Sequence, residues 1–90
     1  MTKYKIEYTK EARKDIKKNR KKYQFLLPKL NNLIRELENH PKTGTGKPEY
    51  LKHKKCWSRR IDKEHRLCYE IYEDVVVVLV LTAYRHYEEE

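Results

Sequence analysis

Alternating hydrophobic and polar residues open the chain and predict a β-strand. Tyr4, Ile6 and Tyr8 alternate with charged residues, and a period of two places all three on one face of a strand. Thr9 is a residue type that caps helices, because its hydroxyl accepts a hydrogen bond from a free N–H of the first turn. A weakly amphipathic, basic helix is therefore expected next. The face expected to meet the core carries Ala12, Ile16, Asn19 and Tyr23.

A stripe of leucines predicts a second helix with a strongly apolar face. Leucines recur with the spacing i, i+4, i+7 and i+11, which follows the α-helical period. They are Leu26, Leu30, Leu33 and Leu37. Pro28 fits only the first turn of a helix, so the helix is expected to begin within residues 24–27. Pro41 disfavours helical backbone at His40 and ends the helix there.

The second half of the chain predicts strands. Lys42–Pro48 contains both glycines of the chain and is expected to be a loop. Three strand-like runs follow, separated by tight turns, at Cys56–Ile61, Arg66–Tyr72 and Val75–Thr82. The unbroken Val/Leu run of the third is typical of an interior strand that is buried on both faces.

The resulting order, β-α-α-β-β-β, predicts a single α+β domain over residues 1–90. A chain of 90 residues leaves little room for a second core. Two helices are expected to pack on one face of a small, mainly antiparallel sheet. The opposite face is then open, and the hairpin arginines and the end of the last strand can share it.

The net charge of the chain indicates which class of binding partner is expected. Hydrophobic residues make up 38% of the chain and charged residues 40%, with a formal net charge of +8. This balance favours a nucleic-acid partner over an anionic membrane surface. The chain has no 18-residue apolar stretch to span a bilayer and no apolar leader at its N-terminus. The two cysteines are too few for a disulfide framework or a zinc site, so free thiols in a reducing cytoplasm are expected.

Candidate functional residues are most concentrated between Gly46 and Arg66. This segment holds eight Lys/Arg residues against three Asp/Glu residues. Glu49 lies between Pro48 and the basic run, and an ionised carboxylate facing a cationic surface suits a proton acceptor that acts on a polyanion. Composition alone favours a different interpretation, in which the segment is a solvated, positively charged hairpin.

Five short motifs in a fixed order resemble the YoeB/Txe toxins of the RelE-like toxin–antitoxin superfamily. The motifs are Gly46-Lys-Pro-Glu49, Leu51-Lys52-His53, Trp57-Ser-Arg-Arg60-Ile61, Glu64-His-Arg66-Leu67 and His86-Tyr87. The resemblance covers nearly the whole chain, and it implies a ribosome-dependent endoribonuclease that cuts mRNA in the ribosomal A site. It also implies a cognate YefM/Phd-type antitoxin whose C-terminal segment wraps the toxin, and it is compatible with a homodimer.

The resemblance assigns the central roles to three residues. RNA cleavage without a metal or another cofactor needs a base for the ribose 2′-OH, an acid for the departing 5′-oxygen and cations for the charge on phosphorus. Glu49 is the expected base. His86 is the expected acid, because an imidazole with an ordinary pKa of about 6.5 holds a proton near neutrality. Arg66 is expected to hold the pentavalent phosphorane, since a guanidinium grips two phosphate oxygens.

Three further positions carry supporting, RNA-binding roles, and Tyr87 is the fourth expected catalytic residue. Lys52 and Arg60 are expected to neutralise and position backbone phosphates, and Glu64 to orient one of the arginines. Tyr87 is expected to stack on a base or to bond to the scissile phosphate. Arg59 is expected on the other side of its strand from Arg60, because side chains alternate along a strand.

Every assignment has a structural alternative. Glu49 would otherwise pair with a neighbouring lysine, and His86 would be a solvated histidine near the terminus. His53 and His65 are expected to be structural or surface residues. The alternative for the whole chain is a basic RNA- or ribosome-binding module that does not cleave and acts in antitoxin-linked regulation; a nucleic-acid-binding domain unrelated to toxins is a third.

Two departures from the family pattern concern the C-terminus. Glu88, Glu89 and Glu90 follow Tyr87, where the family commonly ends at the tyrosine, and carboxylates near Arg66 would repel RNA phosphate. Tyr84-Arg85 also stands in the reverse of the expected order, which leaves both residues without an assigned role.

Overall fold

The computed structural model describes residues 3–86, apart from the side chains of Arg85 and His86, and has an α+β fold. Over these residues, the chain forms two α-helices, one 3₁₀ turn and five strands. They are β1 (Lys5–Tyr8), α1 (Lys10–Asn19), a 3₁₀ turn (Gln24–Leu26), α2 (Leu27–Asn39), β2 (Glu49–Leu51), β3 (Cys56–Arg60), β4 (His65–Tyr72) and β5 (Val77–His86). The predicted fold class is confirmed.

The strands form one mixed sheet in the order β1-β5-β4-β3-β2. Strand β5 pairs in parallel with β1, beginning at Lys5 opposite Val77. All other pairs are antiparallel, so the sheet is mainly antiparallel, as predicted. The Val/Leu run lies in β5, between β1 and β4, which agrees with the predicted interior position.

Thr9 joins the start of α1 to the sheet. Its hydroxyl oxygen accepts a hydrogen bond from the Ala12 N–H at 3.0 Å, which is the predicted helix cap. The same hydroxyl donates to the Leu81 carbonyl of β5 at 2.7 Å. Ala12 is fully buried, and Ile16 and Tyr23 pack against the core, as their spacing predicts.

The leucine stripe of α2 provides much of the core. Leu30, Leu33 and Leu37 are buried, and Pro28 lies in the first turn, both as predicted. These side chains belong to one cluster with sheet residues that include Leu67, Tyr69, Val78 and Val80. Within the described residues, neither helix has the length and apolar character needed to cross a bilayer.

Two differences from the prediction concern the strands. Strand β2 was not expected, because three residues after a proline are too few to show alternation. Strand β5 runs from Val77 to His86, whereas the predicted strand runs from Val75 to Thr82. Val75 is 63% exposed and Val76 has a φ of 55°, so both belong to the turn. The hairpin needs a residue with positive φ, and this requirement overrides the β-preference of valine.

Strand β5 is also irregular toward its end. Its register against β4 shifts between the pairs at Arg66 and Cys68 and again between those at Cys68 and Tyr69. Two extra residues of β5 are thereby accommodated between the positions that pair with Arg66 and Tyr69. Tyr84 has a φ of 61°, as expected where an extra residue is inserted into a strand.

Truncating Leu33 tests the core assignment. Leu33→Ala should lower the free energy of unfolding by about 2–5 kcal/mol, because the helix and sheet cannot fully close the cavity. Phe25→Ala is the control, since Phe25 is 72% exposed, and it should change stability by less than about 0.5 kcal/mol. Urea denaturation followed by circular dichroism gives both values. Equal effects of the two substitutions would contradict the placement of α2.

Candidate functional site

The candidate site lies on the sheet face opposite the helices, across β2, β3 and β4. Glu49 pairs in register with Ser58, and Ser58 pairs with Cys68. Arg60 pairs with Arg66 one step along the same strands. Because residues opposite each other in an antiparallel pair share a face, the strands bring a carboxylate, a hydroxyl and two guanidinium groups onto one surface.

Arg66 contacts Glu49 directly. Its Nη1 lies 3.3 Å from Glu49 Oε2 and 3.3 Å from Ser58 Oγ. The Arg66 side chain is only 12% exposed, whereas that of Glu49 is 53% exposed. Both distances are longer than the roughly 2.7–2.9 Å of a short charge-assisted bond. The Arg66 side chain is therefore largely buried, while the Glu49 carboxylate that it contacts remains open to solvent.

Ser58 is a residue of the site that the sequence did not single out. It is fully buried, and its hydroxyl accepts a hydrogen bond from Arg66. Its position two residues before Arg60 could have indicated that Ser58 belongs to the site, since residues i and i+2 of a strand lie on the same face. A small neutral side chain carries no charge or pattern that would have drawn attention to it.

The structure describes only part of the predicted site near the C-terminus. The backbone of His86 pairs with His65 across β4 and β5, and that of Arg85 pairs with Arg66. The register therefore places the backbone of His86 opposite His65, one residue along β5 from the partner of Arg66. The His86 side chain, Tyr87 and residues 88–90 lie outside the described part of the structure, so their roles stay predictions.

The three supporting residues lie at different places around the site. Lys52 is exposed in the turn after β2, and Arg60 is exposed at the end of β3. The Arg60 N–H donates to the Gly46 carbonyl at 2.7 Å. Glu64 is exposed in the turn between β3 and β4, where its N–H donates to Asp62 Oδ1 at 2.9 Å. Its predicted role in orienting an arginine stays a prediction.

His65 lies on the helix side of the sheet. It is buried, its Nδ1 is 2.8 Å from Asp62 Oδ1, and its ring centroid is 4.4 Å from that of Tyr23. Burial alone would raise the pKa of Asp62, but the hydrogen bonds from Glu64 and His65 outweigh it and lower the pKa. Among the described side chains, no three His, Cys, Asp or Glu groups are arranged to hold a metal ion.

Both cysteines are free thiols beside the candidate site. Cys56 begins β3 two residues before Ser58, and Cys68 pairs with Ser58 across the sheet. Burial, together with the neighbouring Cys68, raises the pKa of Cys56 to about 11. Because the thiolate is the reactive form, Cys56 is an inert residue of the folded protein at neutral pH.

Alkylation tests this assignment. Iodoacetamide at pH 7.5 should modify Cys56 more slowly in the folded protein than in urea, because unfolding removes the burial that raises its pKa. Cys68→Ser and Cys56→Ser variants separate the two sites by mass spectrometry. Equally fast modification of Cys56 in the folded and unfolded states would contradict its burial.

A small sheet covered on one face by two helices, with a carboxylate and arginines on the other face, defines an α+β domain with a basic, open sheet face. The family model described as the YoeB-like toxin of bacterial type II toxin-antitoxin system matches residues 8–87. The chain therefore belongs to the YoeB family of toxins, which confirms the resemblance drawn from the five motifs.

Individual relatives agree with this assignment. Toxin YoeB of Escherichia coli K12 is 44% identical over 55 residues, which are 59% of this chain and 66% of that protein, just under two thirds of it. The YoeB/ParE toxin structure from Agrobacterium tumefaciens is 33% identical with a TM-score of 0.83, over 92% of this chain and 99% of the other. The YoeB chain of a heterotetrameric YoeB-YefM complex from Staphylococcus aureus is 29% identical with a TM-score of 0.77, over 93% and 98% of the chains.

Proposed function

We propose that this toxin is an endoribonuclease that cuts mRNA in the ribosomal A site and so inhibits translation in the cytoplasm. The observation that carries the proposal is the contact between the exposed Glu49 carboxylate and the Arg66 guanidinium. The pair lies on a sheet face that also presents Arg60. A base beside a phosphate-binding cation is what cleavage of RNA by its own 2′-OH requires.

The reaction needs one proton acceptor and one proton donor. Glu49 removes the proton of the ribose 2′-OH as the 2′-oxygen bonds to the adjacent phosphorus. The bond from phosphorus to the 5′-oxygen breaks, and His86 gives that oxygen a proton. The products are a 2′,3′-cyclic phosphate and a free 5′-hydroxyl, and water then opens the cyclic phosphate to a 3′-phosphate. Neither step needs a metal ion or another cofactor.

Arg66 changes partner during this sequence. In the free protein its guanidinium contacts Glu49 and Ser58 at 3.3 Å. An incoming phosphate competes for the same Nη1, and two phosphate oxygens offer a bidentate partner. Exchange toward the phosphate places Arg66 where negative charge develops, and it leaves the Glu49 carboxylate free to accept the proton.

Other groups bind the polymer around the reacting bond. Lys52 and Arg60 are exposed at the ends of β2 and β3 and neutralise backbone phosphates, while Glu64 orients an arginine and Tyr87 contacts a base or the scissile phosphate. The net charge of +8 attracts RNA over a distance set by ionic strength. An open sheet face suits an extended strand held in the A site.

Substitution of Glu49 on translating ribosomes tests the proposal. Glu49→Gln should slow cleavage of a defined mRNA by about 10²–10⁴-fold, because an amide cannot accept the 2′-OH proton. Ribosome binding should change little. Glu7→Gln is the matched control, since Glu7 is also an exposed edge-strand glutamate in an ion pair, and it should cleave at the wild-type rate. Single-turnover cleavage mapped by primer extension measures both.

Two outcomes would redirect the proposal. Wild-type cleavage of the same mRNA without ribosomes would remove the ribosome from the mechanism. Ribosome binding without any cleavage, together with equal growth arrest by wild type and Glu49→Gln, would support the RNA- or ribosome-binding module instead.

The partner that controls the toxin is proposed to be a YefM/Phd-type antitoxin, supported by the YoeB-YefM complex of the S. aureus relative. A protein segment that covers the Glu49–Arg66 pair would block the approach of phosphate. A short open reading frame next to the toxin gene should encode this antitoxin. The co-expressed product should co-purify with the tagged toxin and suppress cleavage on ribosomes. Failure to co-purify would remove this partner and leave the cleavage proposal intact. Light scattering of the free toxin tests whether it forms a homodimer.

A further inference from the structure

Among the side chains that the structure describes, Arg59 is the largest fully buried one that carries a charge. It lies on β3 between the two site residues Ser58 and Arg60, but on the helix side of the sheet, opposite Leu67. Nothing in the proposed cleavage step uses it. Burying a guanidinium is unfavourable unless its donors are satisfied, so the groups that accept its hydrogen bonds show which part of the chain it binds.

All five N–H groups of the Arg59 guanidinium have acceptors. Nε donates to the Tyr69 hydroxyl at 3.1 Å, and Nη1 donates to Glu36 Oε1 at 2.8 Å. The other acceptors are backbone carbonyls of the segment that joins α2 to β2. Nη1 reaches Thr45 at 3.2 Å, and Nη2 reaches Thr43 at 2.6 Å as well as His40. One side chain thus binds this segment at three points.

Two neighbours of Arg59 bind the same segment. Tyr69 donates its hydroxyl proton to the Pro41 carbonyl at 2.8 Å, and burial raises the pKa of Tyr69, which keeps that proton in place. Glu36 accepts from the Thr45 hydroxyl at 2.7 Å and the Thr45 N–H at 2.8 Å. The Thr45 hydroxyl and N–H, with the Arg59 guanidinium, lower the pKa of Glu36 against the effect of its burial.

The glycines of the segment allow this close approach. Gly44 has a φ of 121°, and a Cβ there would collide with Glu36 Oε1 and lie 3.2 Å from Arg59 Nη1. Gly46 has a φ of 87°, and a Cβ there would lie 2.7 Å from the Arg60 carbonyl. The Thr-Gly-Thr-Gly sequence therefore fits a backbone that lies against the Arg59 network.

The fixed segment leads directly to Glu49. The Gly46 carbonyl accepts from the Arg60 N–H at 2.7 Å, and only Lys47 and Pro48 separate Gly46 from the paired residue Glu49. Strand β2 has three residues, so its own ladder provides few hydrogen bonds. Its position depends on the segment before it.

We infer that Arg59, with Glu36, is a positioning residue that binds the residue 40–46 segment to the sheet and thereby holds Glu49 beside Arg66. The inference rests on the proposed function for its effect on cleavage, but its structural part stands separately. Lysine cannot replace Arg59, because one ammonium offers three donors at a single point instead of five in a planar fork.

Amide hydrogen exchange of Arg59→Lys tests the structural part. The Arg60 and β2 amides should exchange about tenfold or more faster than in the wild type, as expected for local opening, while the β4–β5 amides keep their protection. Arg35→Lys on α2 is the matched control, because Arg35 is an exposed arginine that contacts Asn32, and it should leave the exchange pattern unchanged. Wild-type protection of β2 in folded Arg59→Lys would overturn the inference.

Cleavage by the same variants tests the functional part. Arg59→Lys should lower kcat by about 10–100-fold with little change in KM, since a displacement of ~1 Å at a catalytic group costs up to ~10²-fold. A rise in KM alone would show that Arg59 acts in binding and would overturn the positioning role. If the wild type does not cleave RNA, the proposed function fails, and the exchange experiment alone decides the inference.

A second variant covers the case in which Arg59→Lys does not fold. Thr45→Val removes only the hydroxyl bond to Glu36 and keeps the buried guanidinium. Faster exchange of the Arg60 and β2 amides is again expected, with a smaller effect than for Arg59→Lys. Unchanged exchange in Thr45→Val, with Arg59→Lys unfolded, would overturn the inference as well.

Discussion

The alternation of side chains along β3 is the constraint on which the site depends. Arg59 and Arg60 are consecutive, so one must face the helices while the other faces the open side of the sheet. Arg59 is fully buried and Arg60 is exposed. The buried guanidinium ties the α2–β2 segment to the core, and the exposed one joins the surface that carries Glu49 and Arg66. A shift of one residue in register would exchange these positions and destroy both.

The sequence was sufficient for the features that repeat. The leucine stripe of α2, the interior position of the Val/Leu run and the opposite directions of Arg59 and Arg60 all follow from periodicity. Strand β2 was beyond this approach because it is only three residues long, and Val75 and Val76 were misplaced because turn geometry overrode their preference. The pairing of Glu49 with Arg66 came from family resemblance, since periodicity carries no information about contacts between distant strands.

The network around Arg59 could not have been predicted for a related reason. Its acceptors are mostly backbone carbonyls, separated from it by 14 to 19 residues along the chain, and a carbonyl leaves no mark in the sequence. The sequence alone does not distinguish a buried arginine from an exposed one. The glycines of the segment were the only sequence feature that pointed to this network, and they indicated only a close approach of the backbone to another group.

The irregular end of β5 shows how tertiary packing sustains a costly backbone conformation. A non-glycine residue with positive φ costs roughly 1 kcal/mol or more. Burial of the Tyr84 side chain and its stacking on Tyr23, with ring centroids 5.7 Å apart, offset this conformational cost. The extra residues change which side chains of β5 face the core just before Arg85 and His86. The reversed Tyr-Arg order therefore occurs where the strand itself departs from regular alternation.

The parallel pairing of β1 with β5 has a consequence for the synthesis of the protein. Lys5 pairs with Val77, so β1, one of the first segments to be translated, can pair with β5 only after that later strand has been made. Contacts so distant in the chain also form slowly once both partners exist. The sheet cannot close while β5 is still in the exit tunnel of the ribosome. The five-stranded sheet therefore forms only after β5 has left the tunnel.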